Sequence, residues 1–328
     1  NLYRLGIDDI VVIEKFAFPR YKCCAGYITN KTKTAYEKLG LNLDECHYSL
    51  IKDFNILYNS KKRLNIINKF LYTNEKIDRV ELDDAFFRLA KDEGIEVFEN
   101  CAIIAHDMQN NSIKTSDGRE LKYEYLVFAD GATGFGSRYQ KNKKRNIALQ
   151  MTFESNKEES IDIHFGVTER GYCWVSTYGG ITNVGMTDKF VKARDYKKIF
   201  SDFSKSQGFD IDTAKLTSAM TPIGVGYPIV NKNIMFVGDA AGACDPLTLS
   251  GLRYGLTSGE YCAKSIASSK PIIYKRWIRK LKIKFAFMKF MQKVFYLKPT
   301  LGLIFNFLCR CFGKFVSRVF NNFFVNKK

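Results

Sequence analysis

Ile234-Met235-Phe236-Val237 is an apolar run that leads straight into Gly238-Asp239-Ala240-Ala241-Gly242, with Asp245-Pro246 and Ser250-Gly251-Leu252 following. A strand ending this way delivers an aspartate to its carboxyl end, where open α/β sheets bind ligands. A carboxylate there can accept from sugar hydroxyls, and its small neighbours let the backbone approach a bound molecule closely. Gly251 then opens a helix-like run, Leu252 to Ser268, whose free N–H groups favour an electron-rich group at that terminus. An ordinary glycine-rich strand-to-helix turn would carry the same residues, so other segments have to decide.

Ile10 to Ile13 form a second β-branched run that ends at Glu14. It reads as a short buried parallel strand entered from a helix, Asn1 to Leu5, through Gly6. In dinucleotide-binding βαβ units the acidic residue at the tip of the second strand accepts from the adenosine ribose. Glu14 is a candidate for that role, with a solvated strand end as the alternative. The strand, GxGxxG turn and most of the helix that should precede it are not in the sequence. The reading therefore expects an N-terminally truncated unit, short of roughly 20 residues.

Four segments follow in order: Pro19-Arg20-Tyr21-Lys22-Cys23-Cys24-Ala25-Gly26, Arg79-Val80-Glu81-Leu82-Asp83, Leu126-Val127-Phe128-Ala129-Asp130-Gly131-Ala132, and the aspartate turn already described. Arg79 opens an amphipathic helix with apolar Leu82, Ala85, Phe86, Leu89 and Ala90. Between residues 140 and 216, the runs Ile161–Phe165, Tyr172–Thr177 and Thr182–Thr187 are separated by glycines, a meander pattern; Cys46 to Asn74 is expected to add strands. At 46% hydrophobic and 14% aromatic, the 328 residues exclude a disordered chain. Nine cysteines at irregular spacings argue against a disulfide framework and for a reducing compartment. His47, His106 and His164 are scattered, no metal site is expected, and there is no P-loop or GxSxG.

Together with Glu14, these motifs resemble the geranylgeranyl reductase family, FAD enzymes of the para-hydroxybenzoate hydroxylase-like flavoprotein group, over positions 1 to about 265. The resemblance implies an α/β fold: a Rossmann-like FAD-binding domain, an inserted antiparallel β-sheet substrate domain and a C-terminal helical segment. The expected boundaries are 1–44, 74–139 and 217–268 for the FAD domain, 45–73 and 140–216 for the substrate domain, and 269–328 for a basic amphipathic tail. By the resemblance, Asp239 binds the FAD ribityl chain, with Gly238 and Ala240 beside it. Pro246, Gly251 and Leu252 lie against the isoalloxazine ring. Asp130 and Gly131 touch the pyrophosphate and ribityl region, although an ordinary turn supplies the same dipeptide. The family arginine that follows has Arg138 as its candidate, one position late. Arg79 lies near the FAD phosphates, or else pairs with Asp83 in solvent. Arg20 and Gly26 belong to the cofactor-binding loop that carries Cys24, the catalytic candidate. Ala25 stands where the family has its first glycine, and the flanking Arg20 and Lys22 are expected to lower the thiol pKa. Tyr172 and Trp174 match the start of a segment that lines the lipid pocket, and would serve a plain core equally well. The Phe-Pro expected after them is Ser176-Thr177 here.

Charge separates the tail from the body. Of 51 Lys+Arg and 34 Asp+Glu, residues 261–328 hold 16 basic and no acidic residues, leaving 35 and 34 before them. Pro299 is expected to separate helices near 272–297 and 300–325. In the first, Lys275, Arg279, Lys282 and Lys289 share a polar face, while Ile278, Leu281, Phe285 and Met288 mark an apolar one suited to an anionic bilayer. A packed cap with a solvated basic rim is another reading; nucleic acid is not expected. With no apolar segment of signal-peptide or membrane-spanning length, the expected location is cytoplasmic, peripheral on the membrane surface. The expected function is an FAD-dependent oxidoreductase that saturates C=C bonds in the prenyl chain of a lipid, quinone or isoprenoid precursor. Its external redox donor is NAD(P)H or ferredoxin. A flavin monooxygenase of the same fold and a non-catalytic membrane-associated lipid-binding remnant are the alternatives.

Overall fold

The apolar run that precedes the aspartate turn is the strand Ile234–Phe236, and all three of its side chains are buried. A computed structural model of the chain describes residues 1–297 and Leu303, apart from 59–61, 142–143, 213–214, 227–228 and 231–232. The strands begin with β1 (Val11–Ile13), β2 (Ile28–Thr29), β3 (Ser49–Leu50), β4 (Asp53–Tyr58), β5 (Lys62–Ile67) and β6 (Leu71–Thr73). Next come β7 (Glu96–Phe98), β8 (Ile103–Asp107), β9 (Ser112–Thr115), β10 (Glu120–Lys122), β11 (Leu126–Phe128) and β12 (Arg145–Glu154). The last are β13 (Ser160–Phe165), β14 (Cys173–Tyr178), β15 (Ile181–Lys189), β16 (Thr217–Pro222), β17 (Ile229–Val230) and β18 (Ile234–Phe236). The helices are α1 (Asn30–Glu37), α2 (Val80–Asp92), α3 (Tyr196–Ser206), α4 (Leu252–Ala267) and α5 (Ile272–Phe295).

Two parallel pairs end at the expected cofactor residues Glu14, Asp130 and Asp239. β1 pairs with β7, and β11 with β18, whose other edge takes β17 antiparallel. Behind β18, Met235 and Val237 pack with Cys262 and Ile266 of α4 and with Tyr274 and Ile278 of α5. The Tyr274 hydroxyl donates to the Phe236 carbonyl at 2.5 Å, tying α5 to the strand. A seven-stranded sheet in the order β16-β12-β15-β14-β13-β4-β5 is the largest layer, antiparallel except where β13 meets β4. α3 covers part of it through Tyr196, Phe200 and Phe203. β2, β6 and β3 form a small sheet, and α1, α2 and α4 meet beside it around Tyr36, Leu82 and Leu252.

The structure corrects two expectations. β1 is parallel to β7 but is not buried: Val11 is 40% exposed. Among the described residues it pairs on one edge alone, and Val12 and Ile13 are half-buried. α5 spans the first of the two expected helices, but the apolar face taken for the bilayer is inside. Ile278, Leu281 and Phe285 are at most 5% exposed and pack on the body. The second helix, near 300–325, and Pro299 lie outside the described residues.

Candidate active site

The chain leaves β18 at Val237, and Gly238–Ala241 turn as a short 3-10 helix that sets Asp239 at the carboxyl end of the strand. The turn is pinned to α4, because the Gly238 N–H donates to Ser258 Oγ at 2.8 Å. Asp245 shapes the following loop by accepting from the N–H groups of Leu247 and Thr248 at 2.9 and 3.2 Å. The loop returns Gly251, the N-cap of α4, against the aspartate; a Cβ on Gly251 would lie 3.1 Å from Asp239 Oδ1. Within the described residues, the Asp239 carboxylate takes part in no hydrogen bond or ion pair. Burial raises its pKa, and the charges of Lys22, Arg79 and Arg145 pull the other way.

The loop carrying Lys22 and Cys24 is strapped to the turn that starts α2. Gly26 has φ +70°, and a Cβ there would meet the Asp78 carbonyl oxygen at 2.4 Å, so only glycine allows this crossing. Tyr48 donates to both carbonyls, Gly26 at 3.0 Å and Asp78 at 3.3 Å. The next residue, Arg79, is the N-cap of α2 and donates through Nε and Nη2 to Asp83 Oδ1 at 3.1 and 2.5 Å. The pair is not a solvent-facing one, since its side chains are 12% and 11% exposed. Burial works against the Arg79 charge, but Asp83, Cys24 and Tyr36 outweigh it and raise the pKa.

Cys24 is half-buried, on the loop that Tyr48 ties to the start of α2 and that Gln150 holds against the large sheet. Its carbonyl accepts from Gln150 Nε2 of β12 at 3.4 Å, and the same amide donates to Tyr21 Oη at 2.5 Å. The neighbouring Cys23 thiol is pushed up to about 11, chiefly by burial. Arg20 is turned elsewhere, over the Phe18 ring at 4.8 Å and toward Glu14 at 3.4 Å.

Tyr172, just before β14, and Trp174 within it have ring centroids 6.1 Å apart. Tyr172 Oη donates to the Thr248 carbonyl at 2.9 Å, which ties the large sheet to the loop between Asp239 and Gly251. Trp174 is buried, its Nε1 donating to Asn183 Oδ1 at 2.7 Å. The end of α5 covers this wall: Phe295 and Tyr296 pack against Phe165, which packs against Tyr172, and Gln292 donates to the Pro246 carbonyl at 2.6 Å.

The structure thus gathers Cys24, Arg79, Asp239, Gly251 and Tyr172, together with the turn residues Gly238 and Ala240. Leu252 faces the cluster around Tyr36 and Leu82 instead. Glu14, at the tip of β1, is engaged with the Phe16 N–H at 3.0 Å and with Arg20. Asp130 accepts from the Gly136 N–H at 2.7 Å, so its carboxylate shapes its own turn, while Gly131 faces open space. Arg138 lies over the Phe135 ring at 3.4 Å. No group of three or more His, Cys, Asp or Glu placed to hold a metal occurs among the described residues.

No family model matches the chain. A menaquinone reductase of Mycobacterium tuberculosis is 24% identical over 291 residues, covering 79% of this chain and 71% of that protein. Digeranylgeranylglycerophospholipid reductase 3 of Methanosphaera stadtmanae is 31% identical over 166 residues, 45% of this chain and 42% of its own length. A geranylgeranyl bacteriochlorophyll reductase-like protein of known structure, from Thermoplasma acidophilum, superimposes with a TM-score of 0.77 at 19% identity, over 94% of this chain and 87% of that one. The chain is similar to the geranylgeranyl reductase family. A flavin-dependent brominase shares the same fold, with a TM-score of 0.72 at 17% identity over 99% and 90% of the two chains.

Measured against the geranylgeranyl reductase pattern, the departure at Ser176-Thr177 has a local explanation. Ser176 Oγ accepts from the Tyr27 hydroxyl, and Thr177 shares a hydrogen bond with Thr182 at 2.8 Å, so both polar side chains are used inside the sheet. Sequence reasoning missed Arg145. At the start of β12 its Nε and Nη2 donate to the Ala132 carbonyl at 3.1 and 2.8 Å, which places a cation at the Asp130 turn whose charge also acts on Asp239. The signal was hidden in Lys141-Asn142-Lys143-Lys144-Arg145, a run that reads as solvated charge.

Proposed function

We propose that the chain is an FAD-dependent reductase that saturates C=C bonds in the prenyl chain of a lipid, quinone or isoprenoid precursor, working at a membrane surface. The reading rests above all on Asp239, a carboxylate at the carboxyl end of β18 that no described protein group satisfies. Its hydrogen-bonding capacity suits the hydroxyls of a ribityl chain, and the bare Gly251 beside it leaves room that a side chain would fill. The residues present therefore fit the flavin dinucleotide: Asp239 with Gly238 and Ala240, the amides opening α4 at Gly251 and Leu252, and Gly131 with Arg145 at the neighbouring turn. Reduced flavin, when bound, supplies a hydride to one alkene carbon, and a proton completes the addition at the other.

The chain's own part is to position the substrate and exclude water. Tyr172, Trp174 and the roof of Phe165, Phe295 and Tyr296 form an apolar wall, and an unactivated alkene reacts only when held against its reductant in a dry site. Cys24 borders the same space, its loop held by Gln150 and Tyr48. Flavin absorption bands in the chain purified with FAD, lost in Asp239→Asn, together with anaerobic addition of two mass units per double bond of a geranylgeranyl lipid, would support the reading. Flavin bands without anaerobic turnover, but with oxygen-dependent product, would favour a monooxygenase or halogenase, a second reading kept by the brominase fold.

A further inference from the structure

We propose that α5 docks on an anionic lipid bilayer through the face opposite its core contacts. The helix has 24 residues, eight of them Lys or Arg and none acidic. Tyr274, Ile278, Leu281 and Phe285 point into the body. On the opposite side Ile283, Phe287, Phe290 and Met291 are 67%, 65%, 61% and 43% exposed. Their spacing of i, i+4, i+7 and i+8 makes them one stripe on the helix. Four large apolar side chains left in water in a row mark a surface that something covers.

The charges around the stripe select the occupant. Lys284 donates to Tyr254 Oη and Lys289 to the Ile223 carbonyl, which leaves Lys275, Arg276, Arg279, Lys280, Lys282 and Lys293 without an ion pair among the described residues. Arg276, Arg279 and Lys280 precede the stripe on the same face, and Lys282 and Lys293 flank it. A second copy of the chain would bring the same cations against these, so self-association on this face is repulsive. Nucleic acid would meet the cations but not aliphatic Ile283 and Met291. A bilayer with anionic headgroups accepts both: the apolar stripe enters the headgroup boundary while long basic side chains reach the phosphates.

The placement also has a use, which rests on the prenyl-lipid reading of the site. The last turn of the same helix carries Gln292, Phe295 and Tyr296 to the site beside Pro246 and Phe165. A lipid substrate would thus stay next to the bilayer while its chain enters.

Sedimentation of the full chain with vesicles of phosphatidylcholine, with and without about 30% phosphatidylserine and with no prenyl lipid present, tests the docking directly. Binding to the anionic vesicles, weakened roughly tenfold or more by the triple variant Ile283→Ser, Phe287→Ser, Phe290→Ser, is the expected result. These side chains are exposed, and an unchanged far-UV circular dichroism spectrum shows that the variant folds. The proposal is overturned if anionic vesicles fail to bind, or if the triple variant binds as well as its parent. Concentration-dependent self-association that the triple variant abolishes would equally overturn it, in favour of a dimer. Because the readout needs neither flavin nor turnover, a failed reductase assay and a failed docking assay are separate results.

Discussion

A carboxylate half withdrawn from water without a hydrogen bond costs a fold free energy, and Asp239 stands in that position among the described residues. Its pKa is raised from the ordinary 3.8, chiefly by burial. An acid whose pKa is higher in the folded chain binds its proton more tightly there. Its contribution is most favourable below the unfolded value and is lost as pH rises through the folded one. Asp239→Asn keeps the shape without the charge. The flavin-free variant should therefore melt above its parent at pH 7 to 8, by roughly 2 °C, and the two should converge near pH 4. A variant that melts lower, or a gap independent of pH, would contradict this; scanning calorimetry across pH decides it. Asp239 was readable in the sequence because an apolar strand and small neighbours announce the end of a sheet. Arg145 was not, since its value depends on β12 passing beside the Asp130 turn, a proximity that no local pattern encodes.

At the scale of elements, β14 and β15 are locked by one close approach. A Cβ on Gly185 would lie 2.0 Å from the Trp174 ring, so the indole occupies the space of the missing side chain across the ladder. Gly185→Ala must expel the ring and break its bond to Asn183, and should destabilise the sheet by about 1–3 kcal/mol. Urea unfolding measures the loss, and Trp174 emission in a Trp277→Phe background should shift to the red. Undiminished stability with native emission would show that the slot is not tight. The meander β13–β15 was legible because its runs are broken by glycines at each turn. The burial of α5 was less so. Ile278, Leu281 and Phe285 repeat on one side of the helix and Ile283, Phe287 and Phe290 on the other, so periodicity reveals two apolar faces without saying which meets the body. The partner elements α4 and β18 settle it. The strands expected from Cys46 to Asn74 do extend the large sheet, but nothing near Asp53–Tyr58 announces that it will meet β13 in parallel.

Over the whole molecule, the near-neutral first 260 residues and the basic remainder should respond differently to salt. Raising NaCl from 0.1 to 1 M shortens the screening length from about 10 to about 3 Å. Vesicle binding should fall steeply over that range while flavin affinity, set by a half-buried carboxylate and backbone amides, changes little. Cosedimentation and flavin fluorescence titration on the same samples check this, and parallel loss of both would tie the cofactor to the basic region. The described helices include none long and apolar enough to cross a membrane.

One helix presents its outer stripe to solvent and lays Phe295 and Tyr296 over the aromatic wall. Two binding events that share a rigid element obey reciprocity. Whatever factor a filled pocket imposes on vesicle affinity, vesicles must impose on the pocket. A measurement of either one reports the other.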